Sequence, residues 1–289
     1  LKTDRCAHLA AFSDDDLRDA ADVTLDISVD PFDQVSETIA RLTACVGPDR
    51  VRLALPILTR EHERAELVQR IAALRERGMR RWEIGNLSGW SLLGIEPTVE
   101  AVRAADLDIA GDWALYTMNG AAAQAWGRMG LSRATVSIEG HLDTMRAAAG
   151  STDLPLAAVV YQDTPLFLSE SCAWATLCGA CATPARCTFT EIPLSMDGGI
   201  RLRIGRRQCR TVATMERPLC LAGRLGDLAE AGINRFSVQF VWRDYAPQDA
   251  CDVWRRVRTD RPLANTHCGN VSRGFIQGPT GGGDDAECD

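Results

Sequence analysis

The stretch Val51-Arg52-Leu53-Ala54-Leu55-Pro56-Ile57 opens the unit that decides the fold of this 289-residue chain. It is rich in aliphatic residues, and an amphipathic run, His62–Arg77, follows it and ends at Gly78. A second β-rich run, Arg81–Gly85, comes next. A strand, a helix and a further strand in this order predict two parallel strands joined by a crossover helix.

The same alternation extends in both directions along the chain. We predict six more strands, at Val23–Ser28, Leu107–Gly111, Ala134–Ile138, Leu156–Tyr161, Phe236–Val241 and Leu263–Thr266. Further helices are predicted at Phe32–Ala44, Thr98–Ala105, Ala121–Met129, His141–Ala148, Leu219–Ala231 and Gln248–Arg256. Eight strands separated by helices fit an α/β fold of the (β/α)8 TIM-barrel type better than an open sheet. We therefore expect one barrel-like domain over residues 1–277, with a cysteine-rich insertion at 166–218 after the sixth strand and a disordered tail at 278–289.

Composition and charge narrow the class of protein. Hydrophobic residues make up 46% of the chain and the net charge is −7, so a small-molecule substrate is favoured over RNA, whose binders usually carry a basic excess. The one dense basic run, Arg201–Arg207, indicates a solvated strand pair more than a phosphate or carboxylate site. We expect a cytoplasmic protein without a membrane span, because the chain has neither a secretory signal nor a long apolar run.

Cysteines are numerous and unevenly placed. Of the eleven, Cys172, Cys178, Cys181 and Cys187 fall within 16 residues, and Cys209 follows. In a reducing compartment such a cluster is more typical of metal binding or catalysis than of disulfides. Zinc ribbons would require two Cys-x2-Cys pairs, whereas this segment has one pair and no histidine between its first and last cysteine.

An iron–sulfur cluster is therefore favoured over structural zinc, and a segment without metal remains the third alternative. We expect Cys172, Cys181, Cys187 and Cys209 to be the four ligands. Cys178 competes with Cys181 for one place, and its alternative role is a buried spare thiol.

Polar residues follow several predicted strands at the end where barrel enzymes carry their chemistry. Asn86 and Asn119 are candidates to orient a substrate, or are simply turn-forming residues, and Glu139 is a candidate acid or base, or a helix cap. Glu170 immediately precedes the clustered cysteines. Arg210, next to Cys209, could bind a carboxylate bidentately or balance the charge of a cluster.

These features, in this order, resemble peptidase family U32. The resemblance runs from Asp22 to Gly274, and it rests on the following pieces: Ile84-Gly85-Asn86-Leu87, Asn119 with the helix to Gly130, Ser137-Ile138-Glu139, Ser169-Glu170-Ser171-Cys172, Cys209-Arg210 before Pro218-Leu219, and Gly269-Asn270-Val271-Ser272-Arg273-Gly274. The chain departs from the family pattern at Asp197-Gly198-Gly199, where relatives often have an Asp-Arg-x-Gly stretch. That departure leaves the substrate open.

The resemblance implies a barrel-like fold and a 4Fe-4S cluster held by four cysteines. It also implies oxygen-independent hydroxylation of ubiquinone precursors or RNA bases, with prephenate as a possible oxygen donor. Two alternatives are a protease, after the family's historical label, and a non-catalytic iron–sulfur subunit that works with a paralogous partner.

The histidines give the protease alternative little support, since a serine or cysteine protease requires a positioned one. We expect His8 in a frayed terminus and His62 on a surface helix. His141 could reach the active face, and His267 lies next to Cys268 in sequence only.

Overall fold

The computed structural model describes residues 1–181, 183, 186–196 and 201–269 of the chain. Within them, eight parallel strands close into a barrel, because the first barrel strand pairs with both the second and the last. This confirms the predicted (β/α)8 barrel. In chain order the strands of the described residues are β1 (Lys2–Thr3), β2 (Val23–Asp26), β3 (Val51–Ala54), β4 (Arg81–Ile84), β5 (Asp108–Gly111), β6 (Leu131–Thr135), β7 (Leu156–Gln162), β8 (Pro165–Ser169), β9 (Glu191–Ser195), β10 (Arg201–Arg207), β11 (Arg210–Met215), β12 (Leu219–Cys220) and β13 (Arg235–Phe240).

Strands β1 to β7 and β13 form the barrel, which corrects two predictions. The predicted strand at Leu263–Thr266 is wrong, because Asn265 takes a left-handed φ of 56° that interrupts an extended run. The eighth strand is instead β1 at the start of the chain. The strand from Leu156 is consequently the seventh of the barrel, so the cysteine-rich insertion follows the seventh strand rather than the sixth.

Helices fill the connections between barrel strands. Within the described residues they are α1 (Asp14–Arg18), α2 (Phe32–Val46), α3 (Glu61–Glu76), α4 (Ser88–Leu93), α5 (Val99–Ala104), α6 (Gly120–Arg128), α7 (Leu142–Ala149), α8 (Ala173–Cys178), α9 (Leu225–Glu230) and α10 (Pro247–Val257). The predicted helix Leu219–Ala231 is wrong in its first half, where β12 runs antiparallel to β7 and Gly223 turns the chain at φ +89°. None of these helices is both long and apolar enough to cross a membrane.

The hydrophobic core lies between the barrel and its helices. Helix α2 shows why the sequence folds this way, since it buries one apolar stripe at helical spacing and ends where Gly47 adopts a φ of 84°. The buried residues of that stripe are Val35, Ile39, Leu42 and Val46. Each fully buried aliphatic side chain of this kind contributes about 1.5 to 3 kcal/mol to folding.

The N-terminal end of the barrel is closed by ion pairs. Arg81 donates to Asp22 at 2.6 Å and to Asp108 at 2.8 Å, and the fully buried Arg52 donates to Asp108 at 2.8 Å. Burial alone would raise the pKa of Asp22, but Arg133 and its neighbours outweigh burial and lower that pKa to about 2. Because this end of a (β/α)8 barrel usually serves stability, we assign the network a structural role.

The insertion after β7 forms a second, antiparallel sheet. Its strand order is β8-β11-β10-β9, and β10 and β11 form a hairpin in which Arg207 lies opposite Arg210. The predicted tail at 278–289 lies outside the described residues. So do Asp197-Gly198-Gly199 and, of the last piece that carries the family resemblance, the residues from Asn270 to Gly274.

Candidate functional site

A cavity lies at the C-terminal end of the barrel, between the strand ends and the inserted sheet. Its polar wall comes mostly from the barrel strands and from the tip of the β10–β11 hairpin: Lys2, Asp4, Asp26, Ser28, Asp112, Arg207, Gln208, Arg210 and Gln239. Its apolar wall is Val29, Leu55, Pro56, Ile57, Leu58, Trp113, Leu168, Val212, Val241 and Trp242. Several different strands contribute, as is usual for the active sites of barrel enzymes.

Lys2 lies at the floor of this cavity. Its ammonium is 2.8 Å from a carboxylate oxygen of Asp112 and 2.8 Å from one of Glu83. Burial alone would lower the pKa of Lys2, but the two carboxylates outweigh burial and raise it. Lys2 therefore stays charged and paired, and it is not a free amine nucleophile.

Asp4 directly follows β1 and lies at the wall of the cavity. Its Oδ2 accepts hydrogen bonds from Arg207 Nη2 at 3.1 Å and from the Trp242 amide at 2.9 Å. Burial raises the pKa of Asp4 to about 6, although Arg207 acts in the opposite direction. Trp242 itself adopts a φ of 70°, which is rare for a bulky residue and typical of functional sites when it is stabilised by its surroundings.

The turn of the β10–β11 hairpin is backbone-strained. Its two central residues, Gln208 and Cys209, have φ values of 48° and 61°. A two-residue hairpin with both central residues at positive φ is a type I′ turn, which normally uses Asn or Gly. Gln208 and Cys209 stand in these positions instead, at a cost in stability. This cost points to a functional reason for Cys209 at the tip.

Polar contacts hold this hairpin on the barrel. Arg210 is buried and donates to Glu170 at 2.7 Å and to Glu63 of α3 at 3.0 Å. Arg60 donates to the Gln208 carbonyl at 2.9 Å, and the Gln208 amide donates to the Ser28 carbonyl at 2.9 Å. Cys209 is thereby fixed between two residues that line the cavity.

The five predicted metal ligands all lie in the insertion. Cys172 caps α8 and accepts from the Ala175 amide at 3.5 Å, and Cys178 ends that helix. Cys178 and Cys181 are both exposed, so the alternative of a buried spare thiol for Cys178 is wrong. Cys187 is half-buried, and all five are free thiols. Among the described residues, no three Cys, His, Asp or Glu side chains come close enough to hold a metal ion. The ligand set stays a prediction.

The predicted strand-end residues lie outside the cavity wall. Asn86 accepts a hydrogen bond from the Ser88 amide at 2.9 Å, and Asn119 caps α6 by accepting from the Ala122 amide at 2.9 Å. Glu139 is exposed. Arg210 does line the cavity, but its guanidinium is already engaged by Glu170 and Glu63. Their catalytic roles stay predictions.

His8 is not in a frayed terminus as predicted. It is buried, its Nδ1 lies 2.9 Å from the Thr3 hydroxyl, and its Nε2 accepts from the Tyr245 amide at 3.1 Å. Burial lowers the pKa of His8 to about 4. Both ring nitrogens thus serve the fold rather than a serine or cysteine nucleophile.

The residues that sequence reasoning missed are those at the floor and inner wall, above all Lys2 and Asp4. No local signal was available for them, because β1 has only two residues and therefore carries no periodicity.

The sequence model of peptidase family U32 matches residues 34–239. No protein with a curated description matches the chain. Among solved structures, a FabK mutant from Thermotoga maritima is 10% identical with a TM-score of 0.35, over 55% of this chain and 52% of that one. The chain thus spans about half the length of that structure. The family match covers well over half of the chain and includes most barrel strands and the inserted cysteines: the chain belongs to peptidase family U32.

Proposed function

We propose that this chain is an iron–sulfur protein that acts in oxygen-independent hydroxylation of a small aromatic compound. The observation that carries the proposal is the strained hairpin tip that holds Cys209 beside a cavity at the C-terminal end of the barrel. Both sequence neighbours of Cys209 line that cavity. A cofactor bound through Cys209 would therefore be adjacent to the residues that receive the substrate.

The donor chemistry of the insertion fits such a cofactor. Five free thiols lie in one inserted segment, and thiolates are the ligands that iron–sulfur clusters use. Cys172, Cys187 and Cys209 would hold the cluster together with Cys181, or with Cys178 in its place. When bound, a 4Fe-4S cluster supplies electron transfer or Lewis-acid chemistry.

The chain's own residues supply binding and orientation. The apolar wall, with Pro56, Ile57 and Trp113, offers a surface against which an aromatic ring packs. Arg210 acts as a positioning residue, because its ion pairs fix the hairpin that carries Cys209.

The test is an oxygen-transfer assay. Anaerobically purified protein is incubated with prephenate and a phenolic ubiquinone precursor, and mass spectrometry looks for a product with one added oxygen atom. The proposal expects that product with wild-type protein and not with Cys209→Ser. Cys45→Ser, which changes a cysteine outside the insertion, is the matched control and keeps the activity. Cleavage of a peptide substrate, with no oxygenated product, would refute hydroxylation and favour the protease alternative.

A further inference from the structure

A second cavity, of about 480 Å³, lies where the chain leaves β7 and β13. Among the described residues it shares no lining residue with the cavity beside Cys209. Its wall contains three arginines, Arg203 of β10, Arg217 shortly before β12 and Arg243 shortly after β13. Glu216 is the one carboxylate among the described residues that line it. This wall therefore carries an excess of positive charge, although the whole chain has a net charge of −7.

The fold engages two of these guanidinium groups only loosely. Arg203 Nη1 lies 3.7 Å from Glu191 Oε1, and Arg243 Nη1 lies 4.0 Å from Oδ1 of the fully buried Asp163. Neither distance allows a hydrogen bond. Arg210 of the same inserted sheet, by contrast, donates to its two carboxylates at 2.7 and 3.0 Å. The side chains of Arg203 and Arg243 are 24% and 37% exposed, so their N–H donors are accessible to a ligand.

The position of this second cavity in the fold also favours an anionic ligand. Strands β7 and β13 are the seventh and eighth of the barrel, and the loops after these two strands frequently form the phosphate site of (β/α)8 barrels. This similarity is one of position, and it adds to the charge of the wall. The rest of the wall includes Pro218, Val253, Leu263 and the ring of Tyr161, which offer apolar surface to the organic part of a ligand.

We propose that the second cavity binds the phosphate group of a small phosphorylated organic compound, with Arg203 and Arg243 as its donors. A phosphate monoester carries nearly two negative charges above pH 7 and three acceptor oxygens, which match the forked donors of guanidinium groups. For Arg203 this is the alternative role of the basic run on β10, a phosphate site in place of a solvated strand pair. The site uses no cysteine of the insertion, so it goes beyond the proposed function and does not depend on it.

Phenyl phosphate is the probe, and its affinity for anaerobically purified protein is measured by calorimetry at pH 7.5. We expect binding to weaken about tenfold or more in Arg203→Gln and in Arg243→Gln, because each variant removes a charge-assisted hydrogen bond. Glu216→Gln should tighten binding about two- to fivefold, since it removes the carboxylate from the wall. A variant that fails to fold could not give this last result.

Arg80→Gln is the matched control, because it removes the same charge at the opposite end of the barrel. Arg80 directly precedes β4, its side chain is 45% exposed, and it lies 3.4 Å from Asp106. The control should keep the affinity within about twofold, since solvent and salt screen so distant a charge. Benzoate, which carries a single negative charge and no phosphate group, should bind at least about tenfold more weakly than phenyl phosphate.

Three results would overturn the inference. The first is phenyl phosphate that does not bind to the wild type. The second is an affinity that stays the same in both arginine variants, or that falls as much in Arg80→Gln as in them. The third is benzoate that binds as tightly as phenyl phosphate, which would show a general anion site. If one arginine variant fails to fold, the other and Glu216→Gln decide.

Discussion

Replacing Arg210 by Met should loosen the hairpin that carries Cys209. Methionine keeps most of the aliphatic contacts of the buried arginine but removes both ion pairs. The Glu63 side chain is 29% exposed, and its charge-assisted hydrogen bond with Arg210 is worth about 1.5 to 2 kcal/mol. The Glu170 side chain is 58% exposed, so water screens its ion pair with Arg210, which adds at most about 1 kcal/mol. We expect a loss of about 2 to 3 kcal/mol in the free energy of unfolding.

The assay is urea unfolding of the full chain followed by circular dichroism, together with limited proteolysis of the folded protein. Arg201→Met is the matched control, because Arg201 lies on the same hairpin, is 69% exposed and has its partner Glu216 at 3.7 Å. It should change stability by less than about 0.5 kcal/mol. Equal small losses in both variants, with no new cleavage near the hairpin, would refute the view that Arg210 anchors Cys209.

Three further predictions concern single positions. Because the folded pKa of Asp4 is about 6 and the unfolded value 3.8, the folded state favours the protonated acid, so stability is full below about pH 4 and falls by about 3 kcal/mol as pH rises through 6. Asp4→Asn should abolish that fall in urea titrations across this range, whereas an unchanged slope would contradict the raised pKa. In cluster-free protein Cys209→Gly should be about 1 kcal/mol more stable than Cys209→Ala, since only glycine relieves a φ of 61°, and the opposite order in paired melts would argue against the turn geometry. Asn119→Ala should lower the free energy of unfolding by about 1 kcal/mol in thermal melts, and Asn119→Ser, which can also cap α6, should keep the wild-type stability. A serine variant as unstable as the alanine variant would show that Asn119 does more than cap the helix.

The barrel itself was predictable from the sequence because its strands and helices alternate over most of the chain. Helix α3 buries Leu67, Ile71 and Leu74 at helical spacing, and the short apolar runs on either side of it became β3 and β4. The first strand was missed because two residues, Lys2 and Thr3, carry no period, and pairing with both neighbouring strands decides their conformation.

The site was predictable only in part. The spacing of the cysteines located the insertion, since clustering is visible in one dimension. The contact of Asp4 with Arg207 joins residues 203 positions apart, and no local pattern indicates it. The ion pair of Lys2 and Glu83 at the cavity floor was not predictable for a related reason. The sequence around Glu83 predicts a buried strand, and only the closure of the barrel brings Lys2 to it.

The most direct test of the account is the iron and acid-labile sulfide content of anaerobically purified protein. The account predicts about four irons and four sulfides per chain, as one 4Fe-4S cluster contains. Cys172→Ser and Cys209→Ser should lose them, and Cys45→Ser should keep them. Zinc in place of iron, or a full cluster in Cys209→Ser, would contradict the claim that the strained hairpin holds a cluster beside the cavity.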